Sequence, residues 1–291
     1  MGSLAAGGAL GNLIPPGITF IIYGLITETS VSALYLAAIG PSVLVVVAFL
    51  VLIVVLAGRR HMDDAPAVPL RAKLAALVDL LPTMALIALV LGTIYAGIAT
   101  PTESAALGVT GAMAFAAIGR RLSLKMLHDS AEATARNTAL VGLILIGAYV
   151  LNYVITSLGI PQALASAVSG LPLPAWGIMA LIIGFYLALG TFMEGFSMVI
   201  TTIPVIFPVA MALGYDPVWF GVIVTMLVEI ALISPPDGTV LYVLQGMRKD
   251  GGRIGDVFAG VMPFMTVYIG AVFLLMLFPG IALWLPQVLS R

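Results

Sequence analysis

The hydropathy pattern divides the chain into apolar stretches of about 20 residues, separated by short polar connectors. It predicts an apolar segment ending near Ile26, a long helix over 31–57, spans over 78–99, 103–119 and 137–157, and a final span over 257–285. A helix of about 20 apolar residues crosses a hydrocarbon core about 30 Å thick. The pattern therefore predicts an all-α, polytopic membrane protein.

Two polar connectors, 58–73 and 120–136, carry most of the basic residues. In 120–136 apolar residues alternate with charged ones, which is typical of an amphipathic helix at a membrane surface. We expect four regions: 1–57, 58–73, 74–175 with the interfacial helix at 120–136, and 176–291.

The apolar stretch over 176–213 is too long for one crossing. As a single helix it would measure about 57 Å, at about 1.5 Å per residue. GTFMEG (190–195) interrupts it, and Pro204 and Pro208 bend the helix after this interruption. The sequence therefore predicts a helix broken over 190–197.

Two shorter apolar segments contain a Pro-Pro pair. At 218–247 the apolar residues stop at SPPDG (234–238) and resume at Val240. Each arm is too short to cross the membrane, and this turn cannot continue a helix. The segment predicts a re-entrant helical hairpin with its tip near the middle of the membrane, and LIPPG (13–17) predicts a second one.

The two Pro-Pro segments are copies of each other. LIPPGITFIIYG (13–24) parallels ISPPDGTVLYVLQG (233–246), and Pro41 and Pro263 follow at similar spacing. The pattern places an odd number of crossings between them, so the hairpins open to opposite sides and the repeats are inverted. Inverted repeats with broken helices are typical of alternating-access transporters. The alternative is that the Pro-Pro pairs only kink two ordinary helices.

The hairpin tips are candidate binding sites, because irregular backbone in hydrocarbon survives only where it lines a cavity or binds something. The C-terminal carbonyls of one arm suit Na+, and the N-terminal amides of the next arm suit a carboxylate. Side-chain oxygens of Ser234, Asp237, Thr239 and Thr19 add to these backbone groups.

Acidic residues within apolar stretches are costly and are therefore candidate functional residues: Glu28, Glu103, Glu194, Glu229 and Asp237. Glu28 and Glu103 lie near predicted span ends, where contact with water explains them equally well. Asp237 can instead cap a helix locally. Nearby hydroxyls most often bond to their own helix, which applies to Ser197, Thr201 and Thr202.

Composition narrows the class of protein further. Hydrophobic residues make up 62% of the chain and charged residues 9%, against about 25% charged in soluble proteins. The net charge of -1 argues against nucleic acid as a partner. Cysteine is absent, and His61 and His128 lie in separate connectors, so no metal site built from cysteine or histidine is predicted. No HExxH or GxSxG motif indicates an enzyme.

Four stretches resemble the large membrane subunit of TRAP transporters, the DctM type. They are GGALGNLIPPGITFIIYGLITETS (7–30), GIATPTESAALG (97–108), GTFMEGFSMVITTIPVIFPVAMALGYDP (190–217) and EIALISPPDGTVLYV (229–243). With GIPQAL (159–164), the resemblance runs essentially from end to end.

The resemblance implies a Na+-driven, elevator-type importer of organic acids in the bacterial inner membrane. It implies two protein partners besides the lipid bilayer: a small four-helix membrane subunit and a periplasmic substrate-binding protein. Na+ is the coupling ion, at tip carbonyls around Gly17 and Ser234, and no other cofactor is expected. The expected substrate- and ion-binding residues are Leu13, Ile14, Pro15, Pro16, Gly17, Thr19, Gly190, Glu194, Ser197, Glu229, Ser234, Pro235, Pro236, Asp237, Gly238 and Thr239.

Some features depart from the family pattern. Glu194 stands where the family often has Asp, Val240 where it often has Asn, and Asp237 where it usually has an apolar residue. Family chains begin well before the first hairpin, whereas only residues 1–12 precede this tip. We therefore expect an N-terminally truncated chain, which is either a C-terminal piece of the transporter or a sequence whose start was assigned to an internal Met, and which does not transport alone.

The orientation in the membrane and two alternative functions stay open. The basic connectors favour a cytoplasmic position, whereas comparison with elevator folds places 58–73 outside. Besides the TRAP subunit, the sequence allows a stand-alone ion-coupled carboxylate permease, which needs no binding protein. It also allows a non-transporting scaffold or remnant, which shows no dependence on substrate.

Overall fold

The computed structural model describes residues 2–59, 69–170, 172–248 and 252–289, and within these ranges the regular structure is helical. In chain order the helices are α1 (Gly2–Ala9), α2 (Ile18–Thr27), α3 (Val31–Arg59), α4 (Leu70–Tyr95), α5 (Pro101–Ile118), α6 (Leu124–Ser157), α7 (Ile160–Ser169), α8 (Ala175–Leu189), α9 (Gly195–Ala212), α10 (Pro217–Ile233), α11 (Thr239–Met247), α12 (Ile254–Leu277) and α13 (Gly280–Leu289).

Within the described residues, four helical stretches are long and apolar enough to cross a membrane. They are Val31–Gly58, Leu124–Ser157, Gly195–Ala212 and Ile254–Leu277. Shorter apolar helices, among them Ala175–Leu189 and Pro217–Ile233, lie between them in the chain. The prediction of an all-α, polytopic membrane protein is confirmed.

Two helix boundaries differ from those expected. The final apolar stretch is divided, because α12 ends at Leu277 and α13 begins at Gly280. Pro279 lies between them and has no N–H to donate to the preceding turn. Residues 124–157 form one continuous helix, so no break separates the expected interfacial segment from the span after it. The junction around residues 130–137 contains neither proline nor glycine, so nothing there interrupts the helix.

The chain divides into two compact units, Met1–Leu56 with Ile144–Arg291, and Ala57–Leu143. The predicted block 74–175 is therefore shared between the units. In the second unit, α4 and α5 pack against each other. Of the predicted connector 58–73, residues 60–68 lie outside the described residues, and α4 already begins at Leu70.

In the first unit, α10 is the central helix. It packs against α1, α2, α8, α9, α11, α12 and α13, and most of its side chains are buried. Asp216 caps its first turn, accepting hydrogen bonds from the backbone N–H groups of Val218 (2.8 Å) and Trp219 (3.0 Å). The indole N–H of Trp219 donates to the carbonyl of Leu275 on α12 at 3.1 Å. These bonds anchor the start of α10 in the core.

The two Pro-Pro segments pack against each other in a reciprocal way. Helix α1 contacts α11 and α12 of the later segment, while α10 contacts α2 of the earlier one. Leu34 of α3 lies against Gly221 of α10. Phe49 of α3 makes edge-on ring contacts with Phe264 and Tyr268 of α12. Exchanging the two segments maps the contact of α1 with α11 onto that of α10 with α2, as expected for two copies of one repeat.

Candidate functional site

The second Pro-Pro turn separates α10 from α11 over residues 234–238. The backbone N–H of Gly238 donates to the carbonyl of Ser234 at 2.8 Å, and the Tyr242 hydroxyl donates to the carbonyl of Pro236 at 2.6 Å. A Cβ on Gly238 would lie 2.9 Å from the carbonyl oxygen of Leu232. The turn is therefore tightly closed against the end of α10.

The first Pro-Pro turn lies between α1 and α2 and is built in a similar way. A Cβ on Gly17 would lie 1.8 Å from the carbonyl oxygen of Asn12, so this position has room only for glycine. The Ser42 hydroxyl of α3 donates to the carbonyl of Leu13 at 3.3 Å. Each turn thus has a glycine folded onto the backbone that enters it. Each also has a cis peptide bond between its two prolines.

The predicted helix break lies between α8 and α9, at residues 190–194. Glu194 caps α9, because its carboxylate accepts hydrogen bonds from the backbone N–H (3.0 Å) and the hydroxyl (3.3 Å) of Ser197. Thr201 and Thr202 bond back to carbonyls of their own helix, as expected for such hydroxyls. The Tyr186 hydroxyl of α8 also lies 2.6 Å from the Thr202 hydroxyl, which joins the two helices beside the break.

Both Pro-Pro turns and the helix break meet on one stretch of α10. A Cβ on Gly195 would lie 2.6 Å from the side chain of Val228, and a Cβ on Gly190 would lie 2.8 Å from that of Ala231. Between these two contacts, Glu229 interacts with the side chain and backbone of Asn12 from the first turn. The second turn begins one helical turn further on. Residues 228–231 of α10 are named the hub below.

Near the hub, several polar groups are buried without a hydrogen-bond partner of good geometry. The side chain of Glu229 is fully buried, and neither of its carboxylate oxygens has such a partner, although Asn12 lies beside it. The hydroxyl of Tyr268 on α12 is also buried without one and lies close enough to interact electrostatically with Glu229. Elsewhere in the first unit, in the first turn of α2, the Thr19 hydroxyl is likewise buried without a hydrogen-bond partner among the described residues. Unpaired buried groups of this kind commonly mark functional sites.

The predicted site residues differ in their surroundings. The side chains of Leu13, Pro15, Thr19, Glu229 and Ser234 are buried, as are the glycines of both turns. Ile14, Pro16, Glu194, Pro236, Asp237 and Thr239 are exposed. Glu28 is exposed at the end of α2, and Glu103 caps α5 in a capping box with Thr100, so both have local roles at helix ends.

Asn12 and Tyr268 were not predicted as site residues. Asn12 directly precedes the LIPPG motif and is the first asparagine or glutamine in the chain. This position is only a weak signal of function. Tyr268 lies in an apolar span where aromatic residues are ordinary, so its position relative to Glu229 is visible only in three dimensions.

The fold and the site define a multi-pass membrane protein in which two repeated helix–turn–helix segments and a broken helix meet around one buried carboxylate. The sequence matches the family model described as the tripartite ATP-independent periplasmic transporter, DctM component, over residues 1–281. The chain belongs to this family, whose members are transporters and not enzymes.

Three relatives illustrate the range of the family. The chain is 32% identical over 290 residues to the C4-dicarboxylate TRAP transporter large permease protein DctM of Pseudomonas aeruginosa, covering 99% of this chain and 67% of the relative. It is 30% identical to the sialic acid TRAP transporter large permease protein SiaM of Vibrio cholerae, covering 99% and 67%. It is 31% identical to the ectoine TRAP transporter large permease protein TeaC of Halomonas elongata, covering 96% and 65%. The chain thus spans about two thirds of the length of these relatives.

Proposed function

We propose that this chain forms the membrane pathway of a Na+-coupled, binding-protein-dependent importer of organic acids in the bacterial inner membrane. The observation that carries the proposal is the meeting of both Pro-Pro turns and the α8–α9 break at the hub. Helix ends of both polarities come together there, and helix ends bind ions of opposite sign. The small membrane subunit and the periplasmic binding protein are its proposed partners.

The charge of the site favours a cation. Residues 8–19, 190–197 and 228–242 contain Glu194, Glu229 and Asp237 but no lysine, arginine or histidine. Of these three, Glu229 is buried, and burying a carboxylate without counter-charge nearby is costly. A bound Na+ supplies that charge, held by carbonyls around Gly17 and Ser234. Ser234 accepts one hydrogen bond from Gly238, and a carbonyl oxygen has a second lone pair for a cation.

Because these stretches contain no basic side chains, the organic acid must be bound by hydrogen-bond donors. The N-caps of α2 and α11 are Gly17 and Gly238, and neither has a side-chain capping bond. In contrast, Glu194 and Asp216 cap α9 and α10. The N–H groups at the starts of α2 and α11 are therefore free of side-chain caps, and such helix ends bind carboxylates. We place the substrate carboxylate at these two helix starts, with the first unit moving as a body in an elevator mechanism.

Reconstitution in proteoliposomes tests this function. The protein from its native membrane is reconstituted with the small membrane subunit, and organic acid uptake is measured with and without an inward Na+ gradient and with and without the soluble binding protein. We expect uptake only when the gradient and the binding protein are both present. Uptake without the binding protein would favour a stand-alone permease. Membrane insertion without any uptake would favour a scaffold.

A further inference from the structure

The hub places one buried carboxylate between the two Pro-Pro turns. Glu229 is one helical turn before the second turn, and Asn12, which it contacts, is the residue on which Gly17 of the first turn is folded. Val228 and Ala231, on either side of Glu229 in the sequence, contact the two ends of the α8–α9 break. The first turn thus contacts the helix that ends in the second turn.

This contact differs from the apolar packing around it. Glu229 is fully buried, and its carboxylate has no hydrogen-bond partner of good geometry in the described part of the chain. Its polar neighbours are Asn12 on the first turn and Tyr268 on α12. A buried charged or polar group without full pairing is sensitive to small displacements of its neighbours. When such a neighbour moves away, the folded protein loses more stabilisation than when an apolar contact is lost.

We propose that Glu229 and Asn12 are positioning residues that couple the two Pro-Pro turns, so that Na+ at one turn changes the Na+ affinity of the other. Na+ at the first turn moves Asn12 relative to Glu229, and α10 transmits the shift to Ser234. By linkage the coupling is reciprocal. This inference rests on the proposed Na+ sites at both turns.

The chain contains no cysteine, which makes a clean two-reporter experiment possible. Ile21 and Val243 are exposed side chains about one helical turn after their respective Pro-Pro turns, with exposures of 45% and 63%. A single cysteine at either position, Ile21→Cys or Val243→Cys, is labelled with an environment-sensitive fluorophore. The full-length protein in nanodiscs is then titrated with NaCl at constant ionic strength.

In the protein that carries only a reporter, we expect both labels to respond at the same Na+ midpoint, with a Hill coefficient above 1. In Asn12→Ala the midpoints should separate by about threefold or more, since contacting residues commonly couple at this level or above. The Hill coefficient should fall to about 1. Glu229→Gln keeps the shape of the side chain and removes its charge. It should separate the two Na+ midpoints in the same way, and it serves as the test if Asn12→Ala does not fold.

Tyr23→Phe is the matched control. The Tyr23 hydroxyl of α2 donates to the carbonyl of Pro217 at 2.7 Å, so it also joins the two repeats, but at the opposite end of α10, about 18 Å from Glu229. This variant should lose thermal stability while both reporters keep a common Na+ midpoint. If the contact of Asn12 with Glu229 were purely structural, Asn12→Ala would likewise lose thermal stability while both reporters kept a common Na+ midpoint.

A double-mutant cycle with Asn12→Ala and Glu229→Gln, read from melting temperatures without Na+, measures the interaction between the two side chains. If the effects of the two substitutions on the melting temperature were additive, the interaction between Asn12 and Glu229 would be overturned. Reporters that respond to Na+ but stay together in both hub variants would overturn the coupling and leave the Na+ sites standing. If neither reporter responded to Na+ before any hub substitution, the proposed function would fail, and the coupling with it.

Discussion

The close approach at Gly17 leads to a quantitative prediction. A Cβ at this position would lie 1.8 Å from the carbonyl oxygen of Asn12, whereas real Cβ atoms keep at least 3.0 Å. In Gly17→Ala the two backbone segments must therefore separate by at least 1.2 Å, the difference between these distances. Neither segment yields easily, because Asn12 contacts Glu229 and the backbone N–H of Ile14 is bonded to Leu10 at 3.0 Å.

The expected loss of stability follows from this overlap. Overpacking costs about 1–3 kcal/mol, and an overlap with backbone belongs at the upper end of that range. Replacing glycine with alanine returns about 0.4–1 kcal/mol through the entropy of the unfolded chain. We therefore expect Gly17→Ala to be less stable by about 2 kcal/mol. If Na+ binds at the first turn as proposed, the variant should also lose the stabilisation by Na+, because this turn no longer closes.

Thermal unfolding in detergent, with NaCl or with choline chloride, measures both effects. Gly184→Ala in α8 is the control, because a Cβ there meets nothing within 4 Å and glycine inside a helix is unfavourable. It should be at least as stable as the parent and keep the full effect of Na+. If Gly17→Ala melted with the parent and kept the same response to Na+, the tightly closed turn would be refuted.

Three further substitutions test other parts of the first unit. In the complete transporter, Pro236→Ala should abolish Na+-dependent uptake without affecting membrane insertion, because the proposed binding groups lie in this turn, and normal uptake would contradict that role. Asp216→Ala should destabilise the protein by about 1 kcal/mol through loss of the α10 cap, whereas Asp216→Asn should retain most of the stability. If Asp216→Ala melted at the same temperature as Asp216→Asn, the cap would be shown to be unimportant. Tyr186→Phe removes the bond to Thr202 and should cost about 1 kcal/mol, since Thr202 keeps its own bond to Met198. Unchanged stability would mean that this bond does not hold α8 to α9.

The sequence alone was sufficient where a local chemical signal interrupts an apolar run. The glycine-flanked sequence predicts a helix broken over 190–197, and the structure has the break at 190–194; Pro-Pro followed by glycine predicts the turn at 234–238. These residues act on the backbone wherever they occur, by removing an N–H or by permitting close approach. The membrane class follows equally directly, since it depends on composition summed over whole segments.

The sequence was misleading where hydropathy changes without a change in backbone conformation, and where the helix breaks without a change in hydropathy. The polar-to-apolar transition near residue 137 was interpreted as a boundary, but α6 runs through it because helix formation does not require uniform hydropathy. Conversely, Pro279 and Gly280 divide a uniformly apolar stretch into α12 and α13. Here the local signal was present, but the length and apolarity of the stretch outweighed it.

Membership of the site was decided by the tertiary structure. The sequence identified Glu229 as an expensive residue and the two Pro-Pro segments as repeats, but not the pairing of Glu229 with Asn12 or its closeness to Tyr268. Those contacts join helices that are far apart in the chain. They depend on how α1, α10 and α12 pack, which is set by many apolar contacts together and leaves no mark at any single position. The sequence therefore determined which segments break and which residues are costly to bury, and packing decided which of them meet.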